Sequence, residues 1–127
     1  MQLMQKDSLE MSDADRKRIA GAVELVIGAS DSPTDCCGIV ILHGTDTLCE
    51  TGEYIEKALP DLHVPVILTG AMRPFEMKRS DALQNLTESL FAASTFDPGV
   101  WVAAHGRALK FPGPMKDRSR GTFVMGS

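Results

Sequence analysis

Short apolar runs alternate along the chain with stretches in which apolar residues recur every three or four positions. Three runs, at 38–42, 64–68 and 100–104, have the length and composition of strands buried in a parallel sheet. A helical period precedes the first run and occupies the two intervals between the runs. This alternation predicts right-handed βαβ units, and therefore an α/β fold with helices flanking a parallel sheet.

The same pattern predicts three helices. Their expected N-terminal caps are Ser12 for the first, Thr45 or Asp46 for the second, and Ser80 or Asp81 for the third. Their expected apolar faces comprise Ile19, Ala22, Val23, Val26 and Ile27; then Leu48, Ile55 and Leu59; then Leu83, Leu86, Leu90 and Phe91. The first helix should end at Gly28 or within 30–35, and the second at Pro60.

The two ends of the chain have no clear period. Leu3 and Met4 are interpreted as the end of a strand, and the chain after Gly106 as a loop that precedes a last short strand at 123–125. The segment 69–79, which contains Gly70 and Pro74, is also predicted to be a loop.

Length and charge limit the possible functions. A chain of 127 residues predicts a single domain spanning 1–127. The net charge of −4 argues against a nucleic-acid partner, which requires a basic face. No apolar run approaches the ~20 residues of a membrane span, and the polar first ten residues show no signal-peptide pattern. Three cysteines, an odd number, form no disulfide framework, so a cytoplasmic, reduced protein is expected.

The segment His43-Gly44-Thr45-Asp46-Thr47 directly follows the first predicted strand. Ligands in open α/β sheets bind at the carboxyl ends of strands, so these polar side chains are placed where a site is expected. A threonine hydroxyl attacks only when a base accepts its proton, and a lysine whose pKa is lowered can act as that base. From residue types alone, capping of the following helix remains the competing interpretation of Thr45 and Asp46.

That segment, together with Thr69-Gly70-Ala71-Met72-Arg73-Pro74 after the second strand, resembles the bacterial-type L-asparaginase family. The resemblance extends from about Met4 to Phe123. It implies the flavodoxin-like N-terminal domain of that family. It also implies hydrolysis of L-asparagine to L-aspartate and ammonia without a cofactor, by a homo-oligomer.

The resemblance also assigns roles to individual residues. It implies that Thr45, Asp46 and a lysine form the catalytic set, with Asp46 also binding the α-amino group of the substrate. The family's order of residues places this lysine at Lys116, with Lys110 as the second choice; the alternative for both is a solvated surface lysine. By the same resemblance Ser8 binds the α-carboxylate of the substrate, and the carbonyl of Ala71 faces its side-chain amide. A plain turn is the alternative interpretation at both of these positions.

Two features of the family have no counterpart in this sequence. Family members begin with a strand and a Gly-Gly-Thr-Ile turn, which supplies a second threonine, and full-length members have a C-terminal domain. We therefore expect a domain truncated at its N-terminus that resembles the compact members. The lost strand should leave an unpaired sheet edge, which favours an oligomer. A catalytically impaired relative that binds an amino acid, in a regulatory or interaction role, is the alternative function.

Two other site types are disfavoured by the sequence. His43 and His105 follow different predicted strands without carboxylates at metal-ligand spacing, so no metal site is expected. A nucleotide or phosphate site would need a glycine-rich turn before a helix. The best candidate turn carries Asp46, whose carboxylate repels phosphate.

Overall fold

The computed structural model describes residues 2–28, 36–73, 77 and 79–126. The helices are α1 (Asp13–Gly28), α2 (Leu48–Ala58) and α3 (Ala82–Thr95), and a short 3₁₀ turn (Ser8–Glu10) precedes α1. The strands are β1 (Ile39–Leu42), β2 (Pro65–Thr69), β3 (Gly99–Ala104), β4 (Arg107–Lys110), β5 (Pro114–Asp117) and β6 (Thr122–Met125). The second expected end of α1, within 30–35, and the predicted loop position Pro74 lie outside the described residues.

The main sheet is mixed, with mostly parallel strands. Its strand order is β1-β2-β3-β4, and the pairs β1–β2 and β2–β3 are parallel, as the βαβ pattern predicts. β3 and β4 pair antiparallel across a two-residue turn. Both turn residues, His105 (φ 55°) and Gly106 (φ 74°), have the positive φ that such a tight hairpin requires.

The prediction of a loop after Gly106 was therefore wrong. β4 and the separate antiparallel pair β5–β6 occupy most of this segment. These strands are four residues long, and such short strands carry little periodic signal. The short strand expected at 123–125 is confirmed as part of β6. The strand end expected at Leu3 and Met4 was wrong, since these residues have no regular structure.

α1 and α2 cover one face of the sheet with a core of large apolar side chains. The most buried members of this core are Leu48, Ile55, Val66, Leu68, Val100 and Val102. The first helix begins as predicted, because the Ser12 N–H donates to Asp15 while Ser12 Oγ accepts from the Asp15 N–H at 3.4 Å. α2 begins differently: Thr47 is the N-cap and makes no capping bond through its side chain.

α3 covers the opposite face, and here the predicted apolar face was wrong. Leu83, Leu90 and Phe91 are 57–68% exposed. The buried face consists of Asn85, Ser89, Ala92 and Ala93. Small residues allow α3 to approach the sheet closely around Ile67 and Ala103. The hydrophobic period of α3 therefore predicts the helix but not its orientation.

Candidate functional site

The turn after β1 places Thr45 beside the end of β2. A Cβ at Gly70 would overlap the His43 carbonyl and would lie 3.2 Å from Thr45 Cγ2, so only glycine permits this approach. The His43 N–H also donates to the Thr69 carbonyl at 2.9 Å. The two motifs singled out in the sequence are thus adjacent at the carboxyl edge of the sheet.

The β5–β6 hairpin carries Lys116 to the same edge. The chain before it is packed on α2, because Phe111 is buried and a Cβ at Gly52 would overlap its ring. The Gly113 N–H donates to the Glu53 carboxylate at 2.8 Å. These contacts fix the start of the hairpin against the helix that follows the Thr45 turn.

Lys116 joins Thr45 and Asp46 in one cluster. Lys116 Nζ donates to Thr45 Oγ1 and to Asp46 Oδ1, both at 2.8 Å. Its side chain is 17% exposed and that of Asp46 is 27% exposed, so the cluster faces a partly shielded surface. The structure therefore brings together the three residues predicted as the catalytic set.

Arg118 adds a second cation to this cluster. Arg118 Nη1 lies 2.9 Å from Asp46 Oδ1. The hydrogen bond from Lys116, its charge and the contact with Arg118 lower the pKa of Asp46, against the opposing effect of burial. Asp46 is therefore a carboxylate at neutral pH. The late basic residues of the sequence were the only signal for Arg118, and they did not reveal this contact.

Ser8 lies on the other side of the Thr45 turn. It is 3% exposed, and Ser8 Oγ accepts from the Thr47 N–H at 3.3 Å. Thr47 Oγ1 in turn donates to the Ser8 carbonyl at 2.6 Å. A Cβ at Gly44 would lie 2.9 Å from Ser8 Cβ, so the two segments are in tight contact. Ser8 is thus held at the turn that carries Thr45 and Asp46.

Ala71 follows directly on Gly70, at the exit of β2. The Gly70 carbonyl accepts from Asn85 Nδ2 at 2.8 Å, which ties this exit to α3. Thr45 Cγ2 faces Gly70, so Ala71 is one residue away from a neighbour of the predicted nucleophile. All five predicted site residues, Ser8, Thr45, Asp46, Ala71 and Lys116, are therefore placed around one turn.

Lys110, the second choice for the lysine, does not belong to this cluster. Its Nζ lies 5.4 Å from the centroid of the Trp101 ring. A Cβ at Gly99 would lie 2.7 Å from Lys110 Cε, which places the side chain at the start of β3. Because parallel strands carry their sites at the carboxyl ends, Lys110 lies at the wrong end of β3 for the predicted role.

The two histidines at this edge have structural partners. His43 is 7% exposed and bonds to the Gly44 carbonyl and to Thr51 Oγ1; burial lowers its pKa, which favours the neutral ring. His105 Nε2 lies 2.6 Å from Asp81 Oδ2, and Nδ1 lies 2.8 Å from Thr122 Oγ1. Within the described residues, no group of three histidine, cysteine, aspartate or glutamate side chains is arranged to hold a metal ion.

Asp81 has a larger role than the predicted cap. It is the N-cap residue of α3, but its side chain makes no capping bond. Its carboxylate accepts instead from the N–H groups of Met72 and Arg73, from Asn85 Nδ2 and from His105. No sequence pattern pointed to this network, because its members are separated by up to 24 residues.

The geometry of the cluster suits nucleophilic catalysis. A hydroxyl, an amine within hydrogen-bond reach and a carboxylate that orients the amine are the three parts of an activated nucleophile. Thr45, Lys116 and Asp46 supply these parts at 2.8 Å spacings. Ser8 adds a buried hydroxyl next to backbone N–H groups, a combination suited to a carboxylate ligand.

Comparisons with known proteins agree on one family. Residues 1–118 match the family model described as "Asparaginase, N-terminal". An L-asparaginase of Thermococcus kodakarensis is 44% identical over 66 residues, covering 52% of this chain and 20% of the relative. L-asparaginase 1 of Escherichia coli is 36% identical over 90 residues, covering 71% and 25%. A glutamyl-tRNA(Gln) amidotransferase subunit of Pyrococcus horikoshii is 37% identical over 89 residues, covering 70% and 19%.

A solved structure confirms the fold. The thermostable L-asparaginase from Thermococcus kodakarensis superposes with a TM-score of 0.86 at 31% sequence identity. The superposition covers 96% of this chain and 36% of that one. The chain thus spans about a third or less of the relatives it matches. In the part of the chain that the structure describes, no helix is both long and apolar enough to cross a membrane.

Proposed function

Since the chain belongs to the asparaginase N-terminal domain family, we propose that it is an L-asparaginase-type amidohydrolase. Its reaction would hydrolyse the side-chain amide of L-asparagine to L-aspartate and ammonia. Named L-asparaginases among its relatives support this reaction class. Relatives named as amidotransferase subunits support an amide as the reacting group.

One observation carries the catalytic part of the proposal. Lys116 Nζ lies 2.8 Å from both Thr45 Oγ1 and Asp46 Oδ1. At that distance a neutral Lys116 would accept the hydroxyl proton as Thr45, or a water that it activates, attacks the amide carbon. The C–N bond would then break, and the nitrogen would leave as ammonia with the proton returned by Lys116.

The remaining site residues would hold the substrate. Asp46, a carboxylate at neutral pH, would bind the α-amino group. Ser8 Oγ and the adjacent N–H groups would bind the α-carboxylate, and the Ala71 carbonyl would orient the side-chain amide. No cofactor takes part in this scheme.

The test is ammonia release from L-asparagine, with L-glutamine in parallel, by the unmodified chain and by Lys116→Met. General acid–base catalysis contributes about 10²–10⁴-fold to a rate, so the variant should lose at least 100-fold in kcat. Lys110→Met is the matched control, because it removes the same charge from the distant end of β3. Equal activity of Lys116→Met and the unmodified chain would refute the role of Lys116.

The alternative is a relative that binds an amino acid without turning it over. The contact of Arg118 with Asp46 favours it, because this guanidinium would compete with a substrate amino group for the carboxylate. No ammonia from the unmodified chain, with L-aspartate still raising its Tm, would support this alternative and refute the hydrolase. Loss of that Tm rise in Asp46→Asn would place the ligand at this cluster.

We also propose that the protein is a cytoplasmic homo-oligomer. β1 pairs with β2 on one side of the described sheet, and its last residue, Leu42, is 68% exposed. Sheet edges of this kind tend to be covered by another chain. Light scattering coupled to size-exclusion chromatography tests the proposal, which a monomer at micromolar concentration would refute.

A further inference from the structure

A second cleft lies at the carboxyl edge of the sheet, away from the Thr45 cluster. Its volume is about 410 Å³, and it opens between the loop after β2, the β3–β4 turn and the β5–β6 hairpin. Among its described lining residues are Arg73, Arg79, Arg107 and Arg120. None of the residues of the Thr45 cluster lines this cleft.

The charge of this cleft is opposite to that of the whole chain. The net charge is −4, yet four exposed guanidinium groups converge on one concavity. Bringing four like charges together is unfavourable unless an anion neutralises them. Guanidinium groups bind phosphate through paired N–H donors, which gives them geometric specificity as well as charge.

The acidic residue in this cleft does not cancel that charge. Asp81 lines the cleft, but its carboxylate accepts from the N–H groups of Met72 and Arg73, and from Asn85 and His105. These four donors occupy its oxygens and leave the arginines to face the cleft.

The fold also orients the arginines toward one another. Arg107 begins β4, directly after the rigid His105-Gly106 turn. Arg120 is anchored through Nε at 3.5 Å from the Asp117 carboxylate. The adjacent N-terminus of α3 adds the positive end of a 14-residue helix.

We propose that this cleft binds a small phosphate-bearing anion with at least two negative charges. The ligand is of the phosphate class because four forked cations match several peripheral oxygens better than a single carboxylate does. The site is distinct from the proposed catalytic cluster. Its Arg120 nevertheless belongs to the hairpin that carries Lys116, so an anion held there would also hold that hairpin in place.

Isothermal titration calorimetry with sodium pyrophosphate, at an ionic strength kept constant with sodium chloride, tests the proposal. We expect saturable binding with one site per chain. Arg107→Gln and Arg120→Gln should each raise the Kd about tenfold, the effect of losing one charge-assisted contact. Lys110→Gln removes a positive charge from the same strand as Arg107 but outside the cleft, and should change the Kd less than about twofold.

Three results would overturn the proposal. They are no saturable binding, an equal effect of Lys110→Gln, or succinate binding as tightly as pyrophosphate. Arginine Nε–Hε NMR signals of the unmodified chain should shift saturably with pyrophosphate, which tests the site without any substitution. Thr45→Val should leave the pyrophosphate Kd unchanged, and this outcome separates the cleft from the proposed hydrolase site.

Discussion

The two faces of the sheet are covered in different ways. α1 and α2 bury large aliphatic side chains, among which Leu48 and Ile55 are 0% exposed. α3 contacts Ile67 mainly through Ala92 and Ala93, and its larger apolar side chains face outward. The first face follows the hydrophobic period of its helices, and the second does not.

The α3 face uses its interior for hydrogen bonds. Asn85 is 1% and Ser89 is 0% exposed. Asn85 Nδ2 donates to the Gly70 carbonyl and to Asp81, and its Oδ1 accepts from the His105 N–H. These bonds connect the exits of β2 and β3. One face therefore supplies apolar packing, whereas the other fixes the loops that carry the two candidate sites.

The largest expected effect is on the packed face. Ile55→Ala should lower the free energy of unfolding by about 2–5 kcal/mol, because it leaves a cavity among fully buried neighbours. Leu90→Ala on α3 should change it by less than about 0.5 kcal/mol, because that side chain is 57% exposed. Urea denaturation followed by far-UV circular dichroism measures both variants.

A loss in Leu90→Ala comparable to that in Ile55→Ala would contradict the contrast between the faces. Such a loss would mean that the outer stripe of α3 is buried in solution. Repeating the measurement at two protein concentrations separates burial by a second copy, which depends on concentration, from burial within one chain.

A smaller effect is expected from the polar interior of α3. Asn85→Ala removes the partner of the Gly70 carbonyl and of the His105 N–H. Leaving buried groups unpaired costs about 1–3 kcal/mol, so the free energy of unfolding should fall by that amount. Gln84→Ala is the matched control, because it removes an exposed amide from the neighbouring position.

An Asn85→Ala variant as stable as Gln84→Ala would mean that water replaces these bonds. Amide hydrogen exchange then provides a second measurement. The His105 N–H should exchange faster in Asn85→Ala than in the unmodified chain, and unchanged protection would contradict the predicted connection between α3 and β3.

The contrast between the faces also explains which parts of the fold were predictable from the sequence. The strands β1 to β3 were predictable, because each is a compact apolar run followed by polar residues. Their parallel pairing follows from the right-handed βαβ rule. The proximity of Thr45 to Gly70 then follows, since both lie just beyond the ends of neighbouring strands.

Other features depend on contacts that no local pattern encodes. Leu83, Leu90 and Phe91 give α3 a stronger period than the alanines that it buries, so periodicity selected the wrong face. Lys116 was assigned by family resemblance, since 70 residues separate it from Asp46. The Asp81–His105 pair joins residues 24 apart through a hairpin that the sequence did not predict.

The smallest expected effect is a dependence of stability on pH at the α3 face. Burial alone would raise the pKa of Asp81, but hydrogen bonds from Met72, Arg73 and His105 lower it from 3.8 to about 2. A carboxyl whose pKa falls on folding stabilises the native state above its unfolded pKa. The contribution of Asp81 should therefore be complete above about pH 5 and should disappear as the pH falls from 3.8 toward 2.

Comparison of the unmodified chain with Asp81→Asn isolates this contribution. The pKa values of Asp15, Asp46 and Asp117 are also lowered, so the unmodified chain loses stability over the same acidic range for several reasons. The difference in the free energy of unfolding between the two proteins removes these shared effects. It should be constant between about pH 5 and 7 and should shrink below about pH 4. A difference that stays constant down to about pH 2.5 would mean that the Asp81 carboxylate adds nothing beyond the neutral amide. The network on α3 would then act through its geometry alone, and charge would no longer distinguish the two faces.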